Sequence, residues 1–406
     1  MTVDDLPRSL PSDFGPESMA DSVTRHALIS QDGSGIDFLI YGIDTLDVGF
    51  YVHWGPNWED LRAIFDREKE KARDTNGHVI QRDGLRHHIF LPGGQGNYRY
   101  HLHFPEYHAF IAITEKALFS PNLYISFTSQ ALHLDTTPEE LIELVRQDVC
   151  AFGGQVFSYK ISRCDLYKDF RIPGGLDEDY IRIHMVSRTR STNTFRKDNK
   201  LETFYAGAKG SALVLRLYDK GKKVLNSEDE ERWKVIWFTD DVTDIWRVEF
   251  QARRNVIKQF GINSIEDLRK KQADLWEYMT GPWFSLRNLD SENQSRRTMT
   301  DFWALVHDSS PFGSKSGAIR QTHQDRAWDR KWYLHRMNSL IIPYSALTKK
   351  YTWEDAIRKL IPDLTTLAAE SNFKEAVQKK SIEMGIEFET EQNVDRKPKE
   401  IREYFE

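Results

Sequence analysis

The sequence predicts an α+β protein: an antiparallel sheet core of two related halves with flanking helices, followed by a helical C-terminal region. Three observations lead there. The order strand, helix, several strands, helix occurs from about residue 36 and then begins again near residue 159. GIDTLDVGFYV and KISRCDLYKDFRI open the two runs and share an Ile, a central Asp-hydrophobe step and a terminal Phe. Helical spacing then takes over from about residue 263.

Four segments follow from this order: an acidic, disordered tail over 1–35, a sheet domain over 36–262, a helical region over 263–385 and a charged tail over 386–406. The first half opens with GIDFLIYGIDTLDVGFYVHW, of strand composition. NWEDLRAIFDREKEKAR places Leu61, Ile64 and Phe65 at helical spacing. HHIFLPGGQGNYRYHLHF, YHAFIAIT and NLYISFTSQAL read as consecutive strands. Thr137 as N-cap, Pro138 at the first helical position and Glu140 three residues on start a helix through TPEELIELVRQDVCAFG. In the second half YKISRCDLYKDFRI is a strand and DEDYIRIHMVSR a helix. TFYAGAKGSALVLRLYDKG is a pair of strands about a glycine turn, and IWRVEFQARR is another strand. SIEDLRKKQADLWEYMTGPWF begins the helical region. Residues 352–370 look helical, broken at Pro362.

Composition sets the outer limits. A chain of 406 residues with 12% aromatic side chains can bury a real core, which excludes wholesale disorder. No apolar run approaches the ~20 residues of a membrane span, and MTVDDLPRSLPSDFG lacks the basic and apolar regions of a secretory signal. Cys150 and Cys164 are too few for a disulfide framework or a four-cysteine zinc site. The expected compartment is the cytosol. The net charge of -6 counts against a nucleic-acid partner, but it is unevenly spread. Residues 1–60 hold eleven Asp/Glu against two Lys/Arg, a balance of -9. Residues 181–225 hold eleven Lys/Arg against three acids, a balance of +8. SRTRSTNTFRKDNK lies inside that basic stretch, and its hydroxyls and cations, with Arg188, Arg190, Arg196, Lys197, Lys200 and Lys209, suit phosphate contacts. GSKSGAIRQTHQDRAWDRKWYLHR, with Trp among arginines, fits either base stacking or core packing.

Three strands hold the chemistry. In LVLRLYDKGKK, Leu213, Leu215 and Leu217 share one face, and Val214, Arg216, Tyr218 and Lys220 the other. A tyrosine between cations suits attack on a phosphodiester, although an ordinary amphipathic strand shows the same pattern. IWRVEFQARR puts Arg247, Glu249, Gln251 and Arg253 on its polar face, a carboxylate flanked by two arginines, as either salt-bridged structure or part of an active centre. ISRCDLYKDF puts Arg163, Asp165, Tyr167 and Asp169 on one face. Asp165 and Asp169, about 13 Å apart at strand rise, cannot clasp one ion between them, but Asp165 could join Glu249. Oxygen ligands of this type suit Mg²⁺ or Mn²⁺.

In order and wording these three segments resemble the replication-initiation-factor family of rolling-circle plasmid and phage initiators, with related conjugative relaxases. The likeness covers roughly residues 40–260. It rests on Ile161 to Phe170, on Tyr205, Gly207, Lys209, Ser211, Arg216, Tyr218, Asp219 and Lys220, and on Arg247, Glu249, Arg253 and Arg254. The resemblance implies metal-dependent nicking and joining of one DNA strand at an origin through a 5′-phosphotyrosine. It implies Tyr218 as nucleophile, and Arg216, Lys220 and Arg247 neutralising the phosphate. Asp165 and Glu249, with Asp169 and Asp47, would be ligands of Mg²⁺ or Mn²⁺. His101 and His103 in YRYHLHF form the His-hydrophobe-His signature of the other large class of rolling-circle nickases and are a supplementary ligand pair. Origin DNA, single-stranded or in hairpins, is the expected partner, together with a host helicase, since the sequence has no P-loop, and a second copy of the chain. A DNA-binding regulator that keeps the fold without the chemistry is the rival reading, and a protein whose basic segment meets an acidic partner is another.

Overall fold

The two segments that share the echo become the two longest strands, side by side. The computed structural model describes residues 35–81, 84–117, 120–133, 136–321, 330–369, 372–373 and 375–377. The expected tail over 386–406 and the expected tail over 1–35, except residue 35, lie outside the described residues, as do residues 322–329 of the Trp-bearing basic stretch. The first half runs β1 (Asp37–His53), α1 (Trp58–Thr75), β2 (His78–Ile80), β3 (His88–Leu91), β4 (Tyr98–His103), β5 (Tyr107–Ala112), β6 (Leu123–Phe127), α2 (Ser129–His133) and α3 (Pro138–Ala151). The second runs β7 (Gln155–Arg171), α4 (Glu178–His184), β8 (Met185–Ser187), β9 (Thr192–Lys197), β10 (Lys200–Ala206), β11 (Leu213–Asp219), α5 (Lys220–Val224), α6 (Glu230–Trp237) and β12 (Ile245–Arg253). After it come α7 (Arg254–Ile257), α8 (Ile265–Tyr278), β13 (Phe284–Leu286) and α9 (Asp301–His307).

Among the described residues eleven strands form one antiparallel sheet in the order β2-β3-β4-β5-β6-β1-β7-β12-β11-β10-β9. Each half places its first strand at the centre, and its last strand pairs back onto it. The β1–β7 register is two-fold symmetric. Asp37 faces Arg171 and His53 faces Gln155, and the Leu46–Cys164 pair lies on the axis. Leu39 and Asp44 are bulged out of β1, and Phe157 and Ser162 out of β7, at corresponding places. The same symmetry exchanges Ile43 with Ile161 and Asp47 with Asp165, so the short sequence echo marks the axis of the fold.

One sheet face takes the core. Leu46, Val48, Phe50, Leu166, Leu215, Leu217, Val248 and Phe250 are fully buried there, under α1, α3, α4 and α8. Phe65 of α1 meets Phe90 at 5.8 Å between centroids, and Trp276 of α8 meets Phe250 at 5.5 Å. The other face is polar and carries only a small cluster, in which Trp233 and Trp237 of α6 pack with Ile40, Tyr167 and Ile245. Thr137 caps α3 in a full capping box with Glu140, as the sequence predicts.

Four local readings change. Residues 192–197, inside the segment read from its charges and hydroxyls, form β9, an edge strand whose outward residues are naturally polar. It turns into β10 through Asp198 and Asn199, both at positive φ (51° and 61°), the two-residue turn that matches strand twist. Residues 220–237 form α5 and α6, too short for a periodic signal; α5 starts on the Asp219 side chain, which accepts from the Lys222 N–H at 2.7 Å. Residues 263–321, expected with the C-terminal helices, belong to the sheet unit. A second unit, from residue 322, contains α10 (Arg330–Thr348) and α11 (Trp353–Ala369). Helix α11 continues through Pro362, where a break was expected, because proline removes one N–H while the bonds on either side remain. No helix among the described residues is long and apolar enough to cross a membrane.

Candidate active site

The adjacency of β7, β12 and β11 converts three sequence patterns into one patch on the polar face. Asp165 lies opposite Gln251. Tyr167, Glu249 and Arg216 form the next row, and Asp169, Arg247 and Tyr218 the row after that. Tyr205 of β10 extends the Arg216 row and Thr203 the Tyr218 row.

Tyr218 is 8% exposed, and its hydroxyl donates to Glu249 Oε2 at 3.1 Å. Arg216 holds the other oxygen, Glu249 Oε1, at 2.6 Å and donates to Gln251 Oε1 at 2.6 Å. The same guanidinium nitrogen that binds Glu249 lies 3.8 Å from Asp165 Oδ2, so Arg216 bridges the two carboxylates. Arg163 grips Asp165 with two nitrogens, one at 2.8 Å. Burial raises the pKa of both Glu249 and Asp165 despite these arginines. A carboxylate with a raised pKa is a better proton acceptor, and Glu249 already accepts from Tyr218. Burial also raises the Tyr218 phenol well above its ordinary value and outweighs Arg247, which pulls the other way. The sequence reading expected neighbouring cations to ease phenolate formation; in the folded chain burial dominates.

Arg247 is fully buried. Its Nε and Nη2 donate to Asp169 at 2.7 and 2.8 Å, and Nη1 donates to Asp44. Its Cζ lies 3.7 Å from the Tyr167 ring centroid and 4.7 Å from that of Trp233. Asp169 also accepts from Trp237 Nε1 at 2.8 Å. This arginine therefore has no surface to offer a phosphate and instead ties β12 to β1 and β7. Gly42 of β1 allows the packing, because a Cβ there would stand 3.1 Å from the Tyr167 hydroxyl. Lys220 lies over Trp233, its Nζ 4.3 Å from the ring centroid, and burial brings its pKa down to about 7. Lys223 Nζ is 5.5 Å from the Tyr218 ring centroid.

The carboxylates expected to hold Mg²⁺ or Mn²⁺ do not fit that role as arranged. Asp165 and Glu249 share Arg216, Asp169 is committed to Arg247, and Asp47 accepts from Tyr124 at 2.8 Å and Ser126 at 2.7 Å. Among the described residues no group of three or more His, Cys, Asp or Glu is placed to hold a metal. His101 and His103 cannot supplement the set, because β4 is four strand spacings from β7, about 19 Å away. His101 pairs instead with His108, ring nitrogens 2.9 Å apart.

The basic segment divides. Lys197 and Lys200 flank the β9–β10 turn, and Arg190 and Lys209 are exposed on loops at the opposite end of that hairpin. Arg196 is bound to Glu178 at 2.6 Å, and Arg188 lies 5.9 Å over the Tyr278 ring. Sequence reasoning missed Asp44, Gln251 as a partner of Arg216, and Trp233. Asp44 reaches Arg247 from a bulge, which alternation cannot foresee. Gln251 stood on the polar face of its strand, and that was the available signal.

The chain was compared with known proteins. No family model matches it, and no curated protein does. Among solved structures it is similar to a rolling circle replication initiator protein from Geobacillus stearothermophilus, with TM-score 0.38 and 15% identity over 67% of this chain and 96% of that one. It is also similar to Methanococcus jannaschii TBP, with TM-score 0.26 and 10% identity over 58% of this chain and 95% of that one.

Proposed function

We propose that the protein is a rolling-circle replication initiator that nicks and rejoins one DNA strand at an origin through Tyr218. The observation that supports this most is the Tyr218–Glu249–Arg216 chain: a tyrosine hydroxyl donating to a buried carboxylate that an arginine holds in place. In the nicking step the Tyr218 oxygen attacks phosphorus while its proton passes to Glu249. The bond from phosphorus to the 3′-oxygen breaks, and Lys220, which titrates near neutrality, protonates the leaving oxygen. Arg216 neutralises charge gathering on the phosphoryl oxygens, and Arg163 positions Asp165 beside it. Joining is the same path reversed. Arg190, Lys197, Lys200 and Lys209 contact flanking phosphates, and a separate helicase unwinds the duplex. Divalent metal would supply further polarisation of the phosphate, but the carboxylates as arranged offer no prepared site for it.

The second reading, a DNA-binding regulator without chemistry, is favoured by the burial of Tyr218. A conjugative relaxase would use the same step in a different biological setting. The experiment incubates the protein with supercoiled DNA carrying its own origin, with Mg²⁺, with Mn²⁺ and with chelator, beside Tyr218→Phe. A covalent adduct formed by the parent alone supports the proposal. Adduct or relaxation by Tyr218→Phe at the parental rate assigns the nucleophile elsewhere, and binding without an adduct in any condition favours the regulator.

A further inference from the structure

The two-fold axis of the sheet gives every residue of the candidate site a counterpart in the first half. Asp165 corresponds to Asp47, and Tyr167 to Gly49. Following the rows outward, Glu249 corresponds to Tyr124, Arg216 to Phe110 and Tyr205 to His101. Two residues along β5 from Phe110, the place of Tyr218 falls on Ala112. The first half thus has no nucleophile, carboxylate or arginine at these places, and rings stand at two of them.

These rings form a continuous ladder. His103 and His108 stack at 4.3 Å between centroids, and His101 and Phe110 also stack at 4.3 Å. Phe110 meets Tyr124 at 6.4 Å, and Tyr124 meets Tyr98 at 5.8 Å. All six are half-buried and alternate with Leu102, Ala109, Ile111 and Ile125, which fill the core on the other face. Burial and mutual repulsion bring His101 down to about 4 and also lower His108, so both rings are uncharged at neutral pH. Lys160, exposed beside Gly49 with its Nζ 5.4 Å over the Tyr51 ring, adds a cation where the ladder approaches the axis. Tyr124 is three strand spacings, about 14 Å, across the sheet from Glu249 on the same face, and its Gly49 row lies seven residues, about 23 Å, along the strands from the Gly42–Tyr167 row of Glu249, a gap that an extended single strand crosses in several nucleotides.

We propose that this ladder on β4, β5 and β6 is a stacking surface for unpaired nucleobases of the strand whose phosphate is presented to Tyr218. The two halves of the sheet would then divide the work, one chemical and one base-binding. The proposal rests on the nicking reading for its choice of strand, but its test reads binding alone. Flat, half-exposed rings with a cation at one end take bases of any sequence, because every base has a π face.

The test measures fluorescence anisotropy of a labelled random-sequence single-stranded oligonucleotide with the full chain and with Phe110→Ala, His101→Ala and Phe110→Trp. Each alanine variant should bind about tenfold more weakly, the scale of one base on one ring, and Phe110→Trp should bind as the parent does. The dependence of affinity on salt should keep its slope, since no phosphate contact is removed. An abasic oligonucleotide should bind the parent at least about tenfold more weakly than the base-bearing one, since it loses every base the ladder holds; this comparison needs no variant and stands even if Phe110→Ala does not fold. Parental affinity in both alanine variants, or equal affinity of the parent for abasic and base-bearing strands, overturns the ladder. If no Tyr218 adduct ever forms but these losses appear, the nicking reading fails and the stacking surface stands.

Discussion

Replacing Arg247 with methionine tests whether this arginine builds the site or touches DNA. Its guanidinium is fully buried, donates at 2.7 and 2.8 Å to Asp169 and once more to Asp44, and lies over two aromatic rings. Methionine keeps much of the aliphatic volume but leaves two carboxylates without their cation, one of them, Asp169, fully buried. Breaking a buried pair from one side costs about 3–5 kcal/mol, a large share of a typical total of about 5–15 kcal/mol. At about 2–4 °C per kcal/mol for a domain of this size, the melting temperature should fall by roughly 6–20 °C. Adding Asp169→Leu removes the stranded charge and should restore part of that loss. Calorimetry of the parent, the single and the double variant decides it. A single variant within about 2 °C of the parent, or a double variant no more stable than the single, refutes the argument. A phosphate-contacting arginine would behave differently, with unchanged melting and a salt slope of DNA binding shallower by about one unit.

Glu249→Gln keeps the shape of the side chain but weakens the acceptor of the Tyr218 proton; adduct formation should slow by about 10²–10⁴-fold while DNA affinity holds, and a parental rate in a quench-flow assay would rule out Glu249 as the base. Thr137→Ala removes the α3 capping box and should cost about 1 kcal/mol, read from urea unfolding midpoints; an unchanged midpoint would mean that the cap is redundant. The half-buried His133 packs its ring against Tyr167 and Trp233 with both ring nitrogens shielded from solvent, and its pKa is held well below the ordinary 6.5 mainly by that desolvation, with His101 likewise down at about 4. The unfolded chain therefore binds protons that the folded chain refuses, so this stability is present above about pH 6.5 and declines as the pH falls from there toward 4. Melting temperatures between pH 7 and pH 5 should show the decline, and His133→Leu should flatten it; an equally steep decline in the variant would place its source elsewhere.

By itself the sequence determined the strands and their faces. Alternation put Leu213, Leu215 and Leu217 in the core and Arg216 and Tyr218 opposite, and it grouped Asp165, Tyr167 and Asp169, because inside a strand period two leaves no other choice. A faint echo around Asp47 and Asp165 was enough to suggest two halves, and the two-fold register of β1 and β7 exchanges these two residues. Tertiary structure decided what those side chains do. Strand order brought Glu249 to the Tyr218 hydroxyl and Arg216 between two carboxylates, and pairing across strands distant in sequence leaves no mark on either one. The bulge at Asp44 re-aimed one carboxylate at Arg247, and α6 buried that arginine under Trp233. A guanidinium that sequence reads as a phosphate contact became an internal brace, since burial with two carboxylates satisfies its donors where no phosphate reaches. The same distance effect separated His101 and His103 from the acidic residues and left them in a ring ladder on the other half of the sheet.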